Sequence, residues 1–214
     1  MPYTTAIFDL DGTLLDTLED LYRAANRALS AHALPARSRE EVCSFVGDGV
    51  EMLIRRAVPT HTDEALTLRV LADFKEVYAA ICEDHTAPYP GILDTLAALR
   101  ARGVRTAVVS NKFDAATKRL CARYFGDLVE VAVGERADMR KKPAPDTLLE
   151  ALRLLDMPLC SAIYVGDSDV DVATARGVGI PCVSVTWGLR TEDFLLAHGA
   201  TALAHSPSDL LGYF

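Results

Sequence analysis

"IFDLDGTLLDT" (7–17) is the stretch that decides how the chain is read. It opens on the end of a short apolar run, residues 5–8, with the make-up of a buried strand. Two acids follow at once, Asp9 and Asp11, and then Gly12 and Thr13. Charge at the mouth of a buried strand is costly unless something compensates it. Either the acids form a plain turn after a strand, or they are held there for chemistry.

Similar runs recur along the chain. "TAVVS" (106–110), "AIYVG" (162–166) and "CVSV" (182–185) read as buried strands, and "VEVAVG" (129–134) as a weaker one. Helical patterns lie between them. "ILDTLAALRARG" (92–103) ends on a glycine suited to a C-cap, and "DAATKRLCARYF" (114–125) is similar. "PDTLLEALRLLD" (145–156) carries proline at its start, and "DVATARGVG" (171–179) ends in glycines. Strand followed by helix, repeated, predicts a parallel sheet covered on both faces. Residues 16–85 break the alternation: "TLEDLYRAANRALSAH", "SREEVCSFV", "GVEMLIRRAV" and "DEALTLRVLADFKEVYAAICEDH" all read as helices. "HTAPYPG" (85–91) has the prolines and glycine of a linker. The expected organisation is an α/β, Rossmann-like core made of 1–15 and 86–214, interrupted by an all-helical insert over 16–85.

The chain has 214 residues, half of them hydrophobic, enough to bury a core without staples. Its formal net charge of −8 argues against a general nucleic-acid binder. Five cysteines stand singly, with no CxxC, HxxxH or HExxH, which reads as reduced thiols in a cytoplasmic protein without a zinc site. No signal-peptide pattern or membrane-length apolar run is expected.

Ligands of open parallel sheets gather beyond the carboxyl ends of the strands. The polar residues fall there. Asp9 and Asp11 follow the first strand, Ser110, Asn111 and Lys112 the second, and Asp167, Ser168, Asp169 and Asp171 follow "AIYVG"; Lys142 sits in "KKPAPD". Asp9, Asp11, Asp167 and Asp171 would crowd together. Two carboxylates ~4 Å apart repel by roughly 4 kcal/mol at an effective dielectric of 20. A hard divalent cation relieves such crowding, Mg²⁺ before others. The remaining groups suit an anion: N–H groups near Gly12 and Thr13, the Ser110 hydroxyl, the Asn111 amide and the Lys142 ammonium. Together they make a layout for phosphoryl transfer, in which one carboxylate attacks phosphorus and its neighbour moves a proton.

These residues resemble the haloacid dehalogenase superfamily. "DLDGTLLDT" is similar to its first motif, DxDGT; "VVSNK" to the second, a strand ending in Ser or Thr; "KKPAPD" to the lysine motif; and "GDSDVD" to GDxxxD. The resemblance spans nearly the whole chain. It implies Asp9 as nucleophile, Asp11 as general acid/base, and Asp9, the Asp11 carbonyl and Asp167 as Mg²⁺ ligands. Asp171 is implied as an acid behind those ligands, with Ser110 and Lys142 as phosphate binders. The insert after the first motif, "SNK" and "FVGDGVEMLIRRA" resemble the phosphoglycolate phosphatase group. This resemblance implies a substrate site that uses the amides of Gly47 and Gly49 with Arg55 or Arg56, on a small phosphorylated metabolite, 2-phosphoglycolate first. No nucleic-acid or membrane partner is expected, and the chain would act as monomer or homodimer. Rival readings are a β-phosphoglucomutase-type mutase or a pyrophosphatase of the same superfamily, and a phospho-aspartate receiver domain.

Overall fold

The computed structural model describes residues 3–214. The chain divides into two compact units, one of residues up to Leu15 with Pro88–Phe214, the other Asp16–Ala87. Its elements run β1 (Thr5–Phe8), β2 (Leu15–Asp16), α1 (Leu18–Ala31), α2 (Arg39–Phe45), α3 (Val50–Ala57), α4 (Glu64–Ile81), β3 (Ala87–Pro88), α5 (Ile92–Ala101), β4 (Arg105–Phe113), α6 (Asp114–Tyr124), β5 (Val131–Glu135), α7 (Asp146–Leu155), β6 (Ala162–Gly166), α8 (Asp169–Val178), β7 (Cys182–Val185), α9 (Glu192–Ala197) and β8 (Leu203–Ala204). β2 and β3, where the chain leaves and re-enters the first unit, pair as a two-stranded ribbon.

The first unit is built on a six-stranded sheet in the order β5-β4-β1-β6-β7-β8, with every pairing parallel. This is the α/β, Rossmann-like class expected. Side chains alternate across the strands, so each strand serves two cores. Ala6, Phe8, Val108, Ile163 and Val165 pack on one face with Leu96 and Leu99 of α5 and Leu120 of α6. Ile7, Ala107, Val109 and Tyr164 pack on the other with Leu148, Ala151 and Leu152 of α7 and Ala175 of α8. Burial on both faces explains why these strands read as continuous apolar runs instead of alternating ones. The order matters more than the count. β1 lies between β4 and β6, with Phe8 in register with both Val108 and Val165. The loops that follow these three adjacent strands therefore share one edge, at the point where the order reverses.

The second unit holds α1 to α4. Leu18, Leu21, Ala24, Ala25, Ala28 and Leu29 make the buried face of α1, and Val70, Leu71, Phe74, Tyr78 and Ile81 that of α4. Small residues on α1 suit close packing against larger ones on α4. Ser38 and Glu41 form a capping box at the start of α2, and Asp63 caps α4. The return crossing falls at Ala87/Pro88, two residues past the expected 85/86. The reason is Asp20, a fully buried acid on α1. It accepts from the N–H of His85 and from both the N–H and the hydroxyl of Thr86, holding those residues in the helical unit. Among the described residues, no helix is long and apolar enough to cross a membrane.

Candidate active site

β1 ends at Phe8, and the Asp9 N–H continues its ladder by donating to Val165 O at 2.9 Å. Asp9 is thus fixed by backbone pairing, and its carboxylate is buried. Gly12 then turns the chain at φ 83°, in the left-handed region, where a side chain would also collide with the Asp167 carboxylate.

Lys142 is the cation of this pocket. Its ammonium lies 2.8 Å from Asp9 Oδ1 and 2.8 Å from Asp171 Oδ1, and it donates to the Tyr164 hydroxyl at 3.1 Å. The lysine is itself aimed from behind. Asn111 grips its backbone twice: Nδ2 donates to Lys142 O at 3.0 Å, and Lys142 N donates to Asn111 Oδ1 at 2.8 Å. Lys142 thus lies among the acids, while its neighbour Arg140 pairs with Asp146.

Asp171 is saturated. Its Oδ1 takes Lys142 and, at 3.0 Å, the Tyr164 hydroxyl; its Oδ2 takes Ser168 N–H at 3.1 Å and Ser168 Oγ at 2.6 Å, a capping box at the head of α8. Asp167 is held by Thr13 Oγ1 on Oδ1 at 3.2 Å and by Leu189 N–H on Oδ2 at 2.7 Å. Asp11 stands apart from this group. Its Oδ1 is 3.1 Å from the ammonium of Lys112, a buried lysine on β4. Ser110, also buried, accepts Lys112 N–H on its hydroxyl oxygen, which leaves the hydroxyl proton to donate elsewhere.

Charge does not balance here. Asp9, Asp167 and Asp171 offer carboxylate oxygens within 4.8 Å of one another, and Lys142 is the cation among them. Burial raises the Asp9 pKa well above the usual carboxylate range, with help from Asp171 and Asp167, although Lys142 opposes it. Burial and the Asp171 charge push Asp167 up to about 7, against the Leu189 and Thr13 hydrogen bonds. Burial works against the Lys142 ammonium, but Asp171 and Asp9 overcome it and hold the lysine charged. Burial and the same acids raise the Tyr164 hydroxyl, which keeps its proton. Buried oxygens carrying more negative charge than their one lysine neutralises are the donor set of a hard cation. Asp9 and Asp167 fit that role best, because all of Asp171 is taken.

The structure therefore brings Asp9, Asp11, Ser110, Asn111, Lys142, Asp167 and Asp171 to the strand ends. Two expectations are corrected. Asp11 does not crowd with Asp9, Asp167 and Asp171, because its carboxylate faces the Lys112 ammonium instead. The N–H groups of Gly12 and Thr13 are spent on the turn itself, donating to Leu15 O at 2.9 Å and to Leu10 O at 3.3 Å. A turn this tight consumes its own amides, and Thr13 instead serves Asp167 through its hydroxyl. Gly47 and Gly49 lie in the second unit before α3, both at positive φ (130° and 85°). Arg55 there is gripped by Glu51 at 2.9 Å and by both oxygens of Glu64, and Arg56 by Asp48. Sequence reasoning missed Tyr164, the Lys112–Asp11 pair and the Asn111 grip. A hydroxyl at a core position of a buried strand was the one available signal for Tyr164.

A match to the description "Haloacid dehalogenase-like hydrolase" covers residues 6–185. The chain belongs to this family. Among haloacid dehalogenase-like proteins it is 38% identical over 212 residues to a plasmid-encoded phosphoglycolate phosphatase of Cupriavidus necator, covering 96% of this chain and 90% of that one. It is 35% identical over 210 residues to the phosphoglycolate phosphatase of Pseudomonas putida, covering 94% of this chain and 74% of the other. A solved structure from Lactobacillus delbrueckii subsp. bulgaricus superposes with a TM-score of 0.92 at 36% identity, covering 98% of this chain and 97% of that chain. CbbY from Rhodobacter sphaeroides, solved in complex with phosphate, gives 0.78 at 28% identity, covering 97% and 96%. The chain is thus a phosphatase-type haloacid dehalogenase-like enzyme, a hydrolase of phosphoric monoesters.

Proposed function

We propose that the chain hydrolyses a small phosphomonoester, 2-phosphoglycolate first, through an aspartyl phosphate on Asp9 and with Mg²⁺ as cofactor. The observation that carries the reading is the state of Asp9. Its Oδ1 is pinned by Lys142 at 2.8 Å, which makes Oδ2 the oxygen proposed to attack. Oδ2 bonds to phosphorus as the ester oxygen leaves, and Asp11 gives that oxygen its proton. Water then attacks the phosphorus, Asp11 takes the water's proton, phosphate departs and the Asp9 carboxylate is regenerated. The Ser110 hydroxyl donates to a phosphoryl oxygen, and Lys142, whose three N–H groups face Asp9, Asp171 and the Tyr164 hydroxyl, supplies a fixed positive charge beside it. Asp9 and Asp167, with the Asp11 carbonyl, are the proposed Mg²⁺ ligands. The bound ion supplies positive charge that keeps the carboxylates ionised and neutralises phosphoryl oxygens. Asp171 keeps the lysine aimed.

The choice of substrate rests on the names of the relatives at 35% and 38% identity. Residues 16–87 would act as a substrate-selecting cap. With Arg55 committed to Glu51 and Glu64, the Gly47–Gly49 turn is the stronger candidate there for a substrate carboxylate. The test is a panel of phosphoglycolate, sugar phosphates, nucleotides and pyrophosphate, assayed for phosphate with and without Mg²⁺. Release from phosphoglycolate, dependent on Mg²⁺ and lost in Asp9→Asn, is expected. No release from any member, or an Asp9→Asn protein as active as the wild type, would overturn the reading; an isomeric sugar phosphate in place of free phosphate would point to a mutase.

A further inference from the structure

The stretch Trp187–Gly188–Leu189, just after β7, lies outside the four motifs, yet it touches two of them. Leu189 N–H donates to Asp167 Oδ2 at 2.7 Å. Trp187 Nε1 donates to Thr13 O at 3.0 Å, and Thr13 Oγ1 donates to Asp167 Oδ1 at 3.2 Å. The contacts close a circuit: each Asp167 oxygen is held by a different loop, and the indole ties the two loops together. Gly188 is what lets the circuit close. A side-chain carbon there would overlap the Asp167 side chain and the Gly12 carbonyl at once. Gly12 faces the same acid from the other side, where a side-chain carbon would meet the Asp167 carboxylate and Leu189. Two glycines therefore let two loops close on one carboxylate.

We propose that the Trp187–Leu189 loop is a positioning element for the cation site, fixing the Asp167 carboxylate in the orientation that binds a divalent ion and coupling the chain's single indole to that binding. The inference rests on the reading of Asp9 and Asp167 as cation ligands. Its physical basis is that a carboxylate with one free torsion at each bond loses orientation when either oxygen loses its donor, and ligand orientation governs affinity. A loop that merely packed against the sheet would not need its amide, its indole N–H and a glycine all directed at one acid and the turn beside it.

The experiment is a titration of the metal-stripped full chain with Mg²⁺ and Mn²⁺, followed by calorimetry and by Trp187 emission, the sequence holding one tryptophan. Asp167→Asn, Gly188→Ala and Trp187→Phe are compared with the wild type. The wild type should bind saturably with a change in emission that tracks the calorimetric curve, and Asp167→Asn should lose binding. Gly188→Ala should weaken binding at least about tenfold, as loss of an outer hydrogen-bonding partner does at metal sites. Trp187→Phe keeps an aromatic ring but not the donor, so it should weaken binding less while folding normally. Should Gly188→Ala fail to fold, Trp187→Phe by calorimetry and the wild-type emission still decide. If the wild type binds, Asp167→Asn does not, and the folded loop variants bind as the wild type does, the loop has no positioning role. If the wild type itself shows no saturable binding, the cation reading of Asp9 and Asp167 is the part that fails.

Discussion

Each unit buries acid, and the two cases differ in how the charge is met. In the helical unit, Asp20 is fully buried and receives the His85 and Thr86 N–H groups and the Thr86 hydroxyl, a neutral and closely fitted set of donors. In the sheet unit, Asp9, Asp167 and Asp171 are buried together, and one lysine serves two of them. Asp20 has what it needs from its own fold, and so it can only staple. The sheet-unit cluster has three carboxyl groups around one bonded lysine, and ionising them all calls for a further cation, which becomes a capacity to bind. Burial of an acid is thus no mark of a site; incomplete compensation is.

The sharpest way to break that contrast is to neutralise one acid of each kind. Asp9→Asn should abolish phosphate release, by at least about 10³-fold in kcat, as removal of a covalent nucleophile does. Its metal-free melting temperature at neutral pH should be equal to or above that of the wild type, because the substitution removes a crowded, desolvated acid. Asp20→Ala should do the reverse. It strands buried N–H donors and should lower stability by about 1–3 kcal/mol in urea unfolding, with the folded fraction still active. If Asp9→Asn proves the more destabilising of the two, the comparison is broken.

Acidity offers a finer test. Burial and Asp171 hold the metal-free Asp167 pKa up to about 7, above its unfolded value of about 3.9. A raised carboxylate pKa favours the folded state at low pH, and this contribution is lost as pH climbs from about 4 through 7. In chelator, the difference in melting temperature between the wild type and Asp167→Asn should therefore shift against the wild type over that window. Divalent-ion affinity should move oppositely, falling by up to about tenfold for each pH unit below 7, since the ligand must shed its proton. An affinity flat from pH 5 to 8 would contradict this. The smallest effect belongs to Arg55→Ala. Its partners Glu51 and Glu64 are exposed, and such pairs add little, so thermal melting should hardly change although the distances match those around Lys142.

Most of the architecture was legible because it is written in local patterns. β1, β6 and β7 coincide with the apolar runs, and α1 to α8 end within a few residues of their expected limits, whereas α9 was not read as a helix. β8 was not, since two residues carry no periodicity. At the site, residue types at strand ends located Asp9, Ser110, Lys142, Asp167 and Asp171. What the sequence withheld was pairing. Nothing in "VVSNK" says that Asn111 will reach across 31 residues to grip Lys142, or that Lys112 will face Asp11. Tyr164 sits at a position that a phenylalanine could fill as far as periodicity shows; its hydroxyl matters because α8 brings Asp171 back over it. The Gly12 and Thr13 amides were misassigned because a turn's internal bonds depend on geometry that composition does not reveal.

The central place of β1 has a consequence for how the protein comes into being. Thr5 pairs with Arg105 on one side and Ala162 on the other, so β1 is made about 100 residues ahead of its nearer partner (105 minus 5). At ordinary rates of synthesis its nearer neighbour emerges roughly 5–20 s later. In that interval the helical segment, whose contacts are local, can order by itself while the nascent strand stays exposed. The placement that delivers Asp9 to the middle of the sheet thus also gives the residues before it the longest wait for a partner among the strands of that sheet.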